Sequence, residues 1–415
     1  MWQWVRECGV RRLAVESHEI KSNSEGDRID YGIILSVMLL ALIGLVSIYL
    51  ATAHDTTTLQ NPVRATIMQA AWYVIGGIGI FFVMRFDAEQ LWRIAPYLYG
   101  IGIFLMIAVL IFYDKTTAIN TGAKSWFALG PVSFQPSEIM KPAYILMLSR
   151  VVTQHNAAFS HTIQHDWQLI GRMVLWTLPI AVLMKLQNDF GTTLVFLAIF
   201  AGVTLVAGIN WRILLPIALI GAAIGTLAIL LVTQSWGRSF LGSIGFKTYQ
   251  FARIDSWLNP SGSTSGDSYQ LWQSMKAIGS GQLTGKGAFH IAVAVPVRES
   301  DMIFSVIGEA FGFIGAAVLI LLYFMLIYQM IRVTFDTKNE FYAYISTGVI
   351  MMILFHVFEN IGMNIGLLPL TGIPLPFISQ GGSFLLANML SVGMVLSMRY
   401  HHTSYMFSRD TEDFE

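Results

Sequence analysis

The sequence predicts an all-α integral membrane protein: a polytopic bundle of about ten transmembrane helices, with a large external loop between the seventh and the eighth. Three observations lead there. The 415 residues are 55% hydrophobic and only 12% charged, with a mean hydropathy of +0.60, more apolar sequence than a soluble core of this length can bury. Apolar windows long enough to span a bilayer recur along the chain. Lysine and arginine in the short connections gather on one side of the resulting bundle.

The windows are 31–51, 67–84, 97–112, 169–184, 192–207, 211–232, 302–331, 341–363 and 384–398. A tenth, 139–152, is shorter and opens beside Glu138 and Lys141, so its polar end is expected against protein or water. With the N-terminus inside, Arg85, Arg93, Arg150, Arg172, Arg212, Arg332, Lys338, Arg399 and Arg409 fall on the cytoplasmic side, against Arg64, Lys115, Lys124 and Lys185 opposite. A cytoplasmic tail is therefore expected over 1–30, which lacks the apolar core of a cleavable signal, and a second over 400–415; they flank a transmembrane domain of 31–399. Twenty-five basic and 25 acidic residues leave no basic excess of the kind that binding nucleic acid requires. The single cysteine, Cys8, excludes an intramolecular disulfide and a thiolate metal cluster.

The one long connection, about 233–300, is external under this orientation and is the expected home of function. Within it Leu271, Met275 and Ile278 recur at helical spacing beside Gln270, Gln273 and Ser274, which predicts a short amphipathic helix at the membrane surface. The run from Gly279 to Lys286 imitates a phosphate-binding loop. Gly287, however, stands where a metal-binding Ser or Thr is needed, and no βαβ unit surrounds it, so its glycines read as turns that let backbone approach another segment.

Charged groups in or beside spanning helices are costly, which marks them as candidates for function or for paired structural roles. Glu138 and Lys141 lie one turn apart, as an internal salt bridge or as cavity groups. Asp189, in QNDFGT, stands at the external end of one helix, where it either serves the cavity or caps the next. Asp301 sits where the long loop re-enters the bilayer, with Glu309 about two turns deeper, and a cap role is open for it too. After Asn360, the prolines and glycines of 366–383 break any helix, so irregular backbone must line protein or a wet cavity. These groups converge on one external-side cavity. His155, His161, His165, His401 and His402 fall in cytoplasmic segments and are expected to be solvated.

The motifs GAKSW, FQPSEIMK, NDFGT, YQLWQSMKAIGSG, ESDMIF followed by IGE, and NIGM with LLPLTGIPLPFIS and GGS occur together and in order. In this the chain closely resembles the bacterial shape, elongation, division and sporulation (SEDS) proteins, which include RodA and FtsW, over nearly everything after the tail. The elongation branch is favoured. Three positions depart from the family pattern: Glu299-Ser300 replaces His-Thr before the aspartate, Ala310 replaces a second acid after Glu309, and Gln380 replaces a tyrosine before the glycine pair.

The resemblance implies a peptidoglycan glycosyltransferase that polymerises lipid II into β-1,4-linked strands at the external face of the bacterial cytoplasmic membrane. It also implies a class B penicillin-binding protein as partner, alongside other elongation-complex membrane proteins. Such a reaction needs a base at the acceptor hydroxyl and cations at the diphosphate leaving group, and no covalent enzyme intermediate. Asp301 matches the family's essential aspartate and is the expected base. Lys124, Trp126, Glu138, Lys141, Asp189, Gln273, Ser274, Lys286, Arg298 and Ser383 are the expected substrate-binding residues, with Lys124 and Lys141 first among the cations. Magnesium or manganese bridging Asp301 to the diphosphate suits oxygen ligands, but no sequence pattern demands it. The competing readings are a flippase for lipid-linked sugars such as lipid II, whose path would also be marked by broken helices and intramembrane charges, and a scaffold that only recruits a partner enzyme.

Overall fold

The computed structural model describes residues 29–54, 61–130, 132–243, 248–262, 266–337 and 339–408. The N-terminal tail through residue 28, with Cys8, lies outside the described residues, as do Lys338 and Arg409.

Every predicted window coincides with a helix. These are α1 (Tyr31–Ala53), α2 (Pro62–Val83), α3 (Ala88–Phe112), α5 (Pro136–Ala158), α6 (Ile163–Gln187), α7 (Phe190–Val206), α8 (Trp211–Thr233), α12 (Ile303–Thr337), α13 (Glu340–Asn364) and α14 (Gly382–Ser408). Eight of them are long and apolar enough to cross a membrane. Of the other two, α7 is apolar but only 17 residues long, and α5 carries Glu138 and Lys141 in its first turns. Both pack inside the bundle, α7 against α13 and α5 against α3, α13 and α14. The short α4 (Lys115–Thr121) and an antiparallel hairpin of β1 (Phe127–Leu129) and β2 (Val132–Phe134) follow α3. Among the described residues the hairpin is the one departure from the all-α prediction.

Helices begin where side chains can take the orphan N–H groups of the first turn. Asp30 accepts from Gly32 and Ile33, Asn61 from Val63 and Arg64 ahead of a proline in the first turn, and Asp87 closes a capping box with Gln90. Outward faces stay apolar, as a lipid-facing surface requires: Leu42, Phe104, Leu219, Leu321 and Phe324 are exposed.

The long connection is built mainly of helices: α9 (Ser235–Ser243), α10 (Thr248–Leu258), a 3₁₀ turn at Pro260–Gly262 and α11 (Gly266–Ser280). The predicted amphipathic helix is α11, but its apolar face is covered by protein. Leu271 and Ala277 are buried with Val295, Met302, Met363 and Leu370, which moves this helix from the lipid surface onto the start of α12 and the end of α13. Arg238 of α9 donates to the Val232 carbonyl and to both carboxylate oxygens of Asp255, tying α8, α9 and α10 together.

The phosphate-loop lookalike has a structural task. Helix α12 is broken at Gly312, which takes φ +64°, a region that disfavours any side chain. The freed backbone groups are taken up by the glycine run: Phe313 and Ile314 N–H donate to the carbonyls of Gln282 and Leu283, while Lys286 and Gly287 N–H donate to those of Glu309 and Ala310. Backbone approach this close leaves no room for Cβ atoms. One built on Gly285 would lie 2.2 Å from the Ala310 oxygen, and one on Gly281 would lie 1.9 Å from that of Gly308.

Candidate active site

Helices α5, α7 and α14 all start at the end of the bundle that carries the long connection, and their first residues line one cavity of about 400 Å³. Gln135 precedes α5, Asp189 to Thr192 open α7, and Gly381 to Phe384 open α14. Three positive helix ends thus face one space, an arrangement that attracts anions.

The cavity gathers Trp126, Glu138, Lys141, Asp189, Asp301 and Ser383 from the residues singled out in the sequence. Lys141 Nζ donates to Glu138 Oε1 at 2.8 Å and Oε2 at 2.9 Å, with both residues buried. Asp189 fills both roles left open for it. Its Oδ1 accepts from Thr192 N–H as the cap of α7, and its Oδ2 accepts from Gln135 Nε2 at 2.8 Å on the cavity wall.

Asp301 is held by its backbone. Its carbonyl accepts from Asn360 Nδ2 at 2.8 Å and Asn364 Nδ2 at 3.0 Å, both from α13. The irregular segment after α13 clamps the preceding residues: Ser379 Oγ donates to the Ser300 carbonyl at 2.7 Å, and Gln380 N–H donates to that of Glu299 at 2.9 Å. That segment is itself strung on Tyr73, Tyr323 and Gln69, which donate to the carbonyls of Phe377, Pro376 and Ser379. Its irregular backbone therefore lines protein and a polar cavity, as a membrane interior demands. Gly372, at φ +75°, turns its bare Cα toward the carboxylate, since a Cβ there would stand 3.3 Å from Asp301 Oδ2.

The Asp301 side chain is not a helix cap. Its hydrogen bond among the described residues comes from the Ser300 hydroxyl at 3.1 Å, and the carboxylate opens on the cavity. Desolvation pushes its pKa up from 3.8 to about 7; Glu299 adds to this, while the Ser300 hydroxyl and the Arg253 guanidinium oppose it. A carboxyl poised there ionises at neutral pH yet remains basic enough to take a proton.

The other expected binding residues lie elsewhere. Lys124 is exposed beside the cavity, its Nζ 5.1 Å from the Tyr113 ring centroid, though neighbouring Ser125 does line the cavity. Gln273 donates to the Tyr269 hydroxyl, and Ser274 donates to Asn364. Lys286 pairs with buried Glu309 at 2.7 Å, beside the glycine clip. Arg298 is buried, with Nε donating to the Ala51 carbonyl at 2.9 Å and Nη1 to that of Val293. None of these side chains lines the cavity.

Three cavity residues went unread in the sequence: Gln135, Arg253 and His356. Gln135 lies inside the noted motif FQPSEIMK but was not singled out, Arg253 lies outside every noted motif, and His356 is a titratable residue in the middle of a spanning window, which was a usable signal. Conversely, His155 is buried and packs on Phe159 at 4.9 Å, so it is not the solvated residue expected. Among the described residues no three acids, histidines or cysteines stand close enough to hold a metal ion. A divalent ion at Asp301 would meet oxygen donors of that carboxylate and of phosphate and water.

The chain matches the family described as "Cell cycle protein" (FtsW/RodA/SpoVE) over residues 31–404. It is 34% identical over 312 residues to the peptidoglycan glycosyltransferase MrdB of Escherichia coli K12, covering 74% of this chain and 78% of that one. It is 30% identical over 375 residues to a probable peptidoglycan glycosyltransferase FtsW of Hydrogenovibrio crunogenus, covering 89% and 90%. Its fold matches a solved chain described under "Structural coordination of polymerization and crosslinking by a peptidoglycan synthase complex", with a TM-score of 0.71 and 26% identity over 91% of this chain and 98% of that one. With the family model matching residues 31–404 and a relative 34% identical over 74% of the chain, the chain belongs to the FtsW/RodA/SpoVE family of polytopic membrane proteins.

Proposed function

We propose that this protein is a peptidoglycan glycosyltransferase that polymerises lipid II into β-1,4-linked glycan strands during bacterial cell elongation. The loop end of the bundle is the external face of the cytoplasmic membrane in this reading, both termini are cytoplasmic, and a class B penicillin-binding protein works beside it. The observation that carries the proposal is the cavity itself: the Asp301 carboxylate on its lining, with Lys141, Arg253 and three helix N-termini around the same space.

The chemistry follows from that layout. The acceptor sugar hydroxyl attacks the anomeric carbon of the donor, Asp301 takes the hydroxyl proton, and the bond to the lipid diphosphate breaks with inversion, so an α-linked donor yields a β-linked product. Lys141, Arg253 and the helix ends meet the charge that develops on the departing diphosphate. Trp126 and Ser383 present stacking and hydrogen-bonding surface to sugar.

A transport reading is disfavoured by what lies below the cavity. Beneath Lys141 the α5 helix continues as a mainly apolar buried face of Tyr144, Ile145, Leu148, Val151 and Val152, in which the Tyr144 and Ser149 hydroxyls are bonded within the bundle, to Thr177 and to the Ile145 carbonyl. The test is polymerisation of labelled lipid II by the purified protein, alone and with a class B partner, against its Asp301→Asn variant. Strand formation by the parent and none by the variant supports the proposal; absence of strands in both, with the partner present, overturns it.

A further inference from the structure

Lys141 cannot meet a phosphate as it stands. An ammonium has three N–H bonds, and all three are used within the protein: two on Glu138, and the third on His356 Nε2 at 3.1 Å. The tautomer of His356 follows from its other nitrogen. Nδ1 lies 2.5 Å from the Met352 carbonyl, which can only accept, so Nδ1 carries the proton and Nε2 is an acceptor. The imidazole is buried and stands edge-on to Phe384 at 5.2 Å, and Phe384 in turn lies under the ammonium at 5.5 Å.

We propose that His356 is a positioning residue that occupies the third N–H of Lys141 while the cavity is empty and yields it to a phosphate oxygen of the lipid diphosphate. This rests on the reading above, in which Lys141 meets that leaving group. Of the three bonds, the two to Glu138 are charge-to-charge and come from the same helix turn, whereas the bond to His356 is the longest and ends on a neutral acceptor. It is the one an anion displaces. Displacement leaves a buried Nε2 without a partner, and that opposes retention of the diphosphate. His356 thereby aims the ammonium at the cavity before substrate arrives and weakens the hold on the lipid diphosphate product after the sugar has been transferred.

The direction of the effect is the test, because a merely structural histidine has the opposite sign. Inhibition of lipid II polymerisation by farnesyl diphosphate is measured for the parent, His356→Phe, His356→Gln and Lys141→Gln, together with KM and kcat. His356→Phe keeps a ring against Phe384 but has no acceptor, so its inhibition constant and KM are expected to fall about tenfold, the size of one hydrogen bond no longer broken on binding. His356→Gln restores an acceptor and is expected within about twofold of the parent. In a Lys141→Gln background the His356→Phe change should have no effect. A His356→Phe inhibition constant that is unchanged or raised, while Lys141→Gln raises it, overturns the role of His356 alone. If Lys141→Gln leaves the constant unmoved, Lys141 does not meet the diphosphate, and the reading beneath fails with it. Should His356→Phe not fold, ¹⁵N spectra of the histidine-labelled parent decide: the His356 Nε2 resonance, assigned by its loss in His356→Gln, moves on adding farnesyl diphosphate, and a static resonance overturns the proposal.

Discussion

Removing the Lys141 charge should be far more harmful alone than together with its partner. The two carboxylate oxygens of Glu138 lie 2.8 and 2.9 Å from Nζ, and both side chains are almost wholly buried. At that separation an effective dielectric near 20 gives about 6 kcal/mol of attraction, most of it offsetting the desolvation of the two ions. Lys141→Met leaves a buried carboxylate on a wall that also carries Asp189 and Asp301, so the expected cost is about 3–5 kcal/mol. Glu138→Leu should cost less, because His356 still accepts from the ammonium. The double variant removes both charges, and a coupling of about 2–3 kcal/mol is expected between the singles. Unfolding of the purified proteins by SDS titration in mixed micelles, followed by tryptophan fluorescence, measures all four corners of the cycle. A double variant whose loss equals the sum of the singles within about 0.5 kcal/mol would refute the pairing as an energetic unit.

Four further outcomes are expected. With Asp301 as base, kcat/KM for lipid II should rise with unit slope up to about pH 7 and then level off, and Ser300→Ala, which removes a hydrogen bond to the ionised form, should move that midpoint upward; a flat profile between pH 5 and 8 contradicts this. The same rise from 3.8 to about 7 means the native carboxyl keeps its proton where the unfolded chain has lost it, so stability falls as pH climbs through that window, by on the order of 4 kcal/mol, and Asp301→Asn should lack that part of the pH dependence of unfolding. Gly281→Ala should loosen the clip on α12, costing on the order of 1–3 kcal/mol in the same titration, whereas Gly279→Ala, with open space at its Cβ, should not. Cysteines placed at exposed Ser261 and Ser160 in a Cys8→Ser background should label with an impermeant reagent in intact cells at Ser261 only; labelling at Ser160 alone inverts the topology.

The fold was legible because a spanning helix must announce itself in apolar residues, and each window found its helix. Boundaries were less so. The windows for α2, α3 and α6 open at 67, 97 and 169, whereas the helices begin at Pro62, Ala88 and Ile163. The missing turns are polar, and they are fixed by the caps Asn61, Asp87 and Thr162 rather than by hydropathy. Within the site, Glu138–Lys141 could be read from a local i, i+3 spacing and Asp301 from its motif and its place at a membrane entry. Arg253 and His356 reach the cavity only through long-range packing of α10 and α13, which no local spacing encodes. Lys286 and Arg298 misled because a cation in an outward loop looks free. The clue for Lys286 was present in buried Glu309, which had no other cation assigned to it, while Arg298 is held by backbone carbonyls that sequence cannot place.

The central claim is that Asp301 does chemistry and not architecture. Its carboxylate takes no N–H from the first turn of α12, and it is the backbone carbonyl that holds the residue in place, so Asp301→Asn should leave insertion, monodispersity and partner binding intact. Polymerisation of labelled lipid II by variant and parent, at equal yield and with the class B partner present, is the decisive comparison. Loss of a positioned base predicts a fall of about 10²–10⁴ in rate. A variant that passes those controls and still polymerises within a few-fold of the parent would contradict the account and move the search for the base to Asp189, the next carboxylate on the same wall.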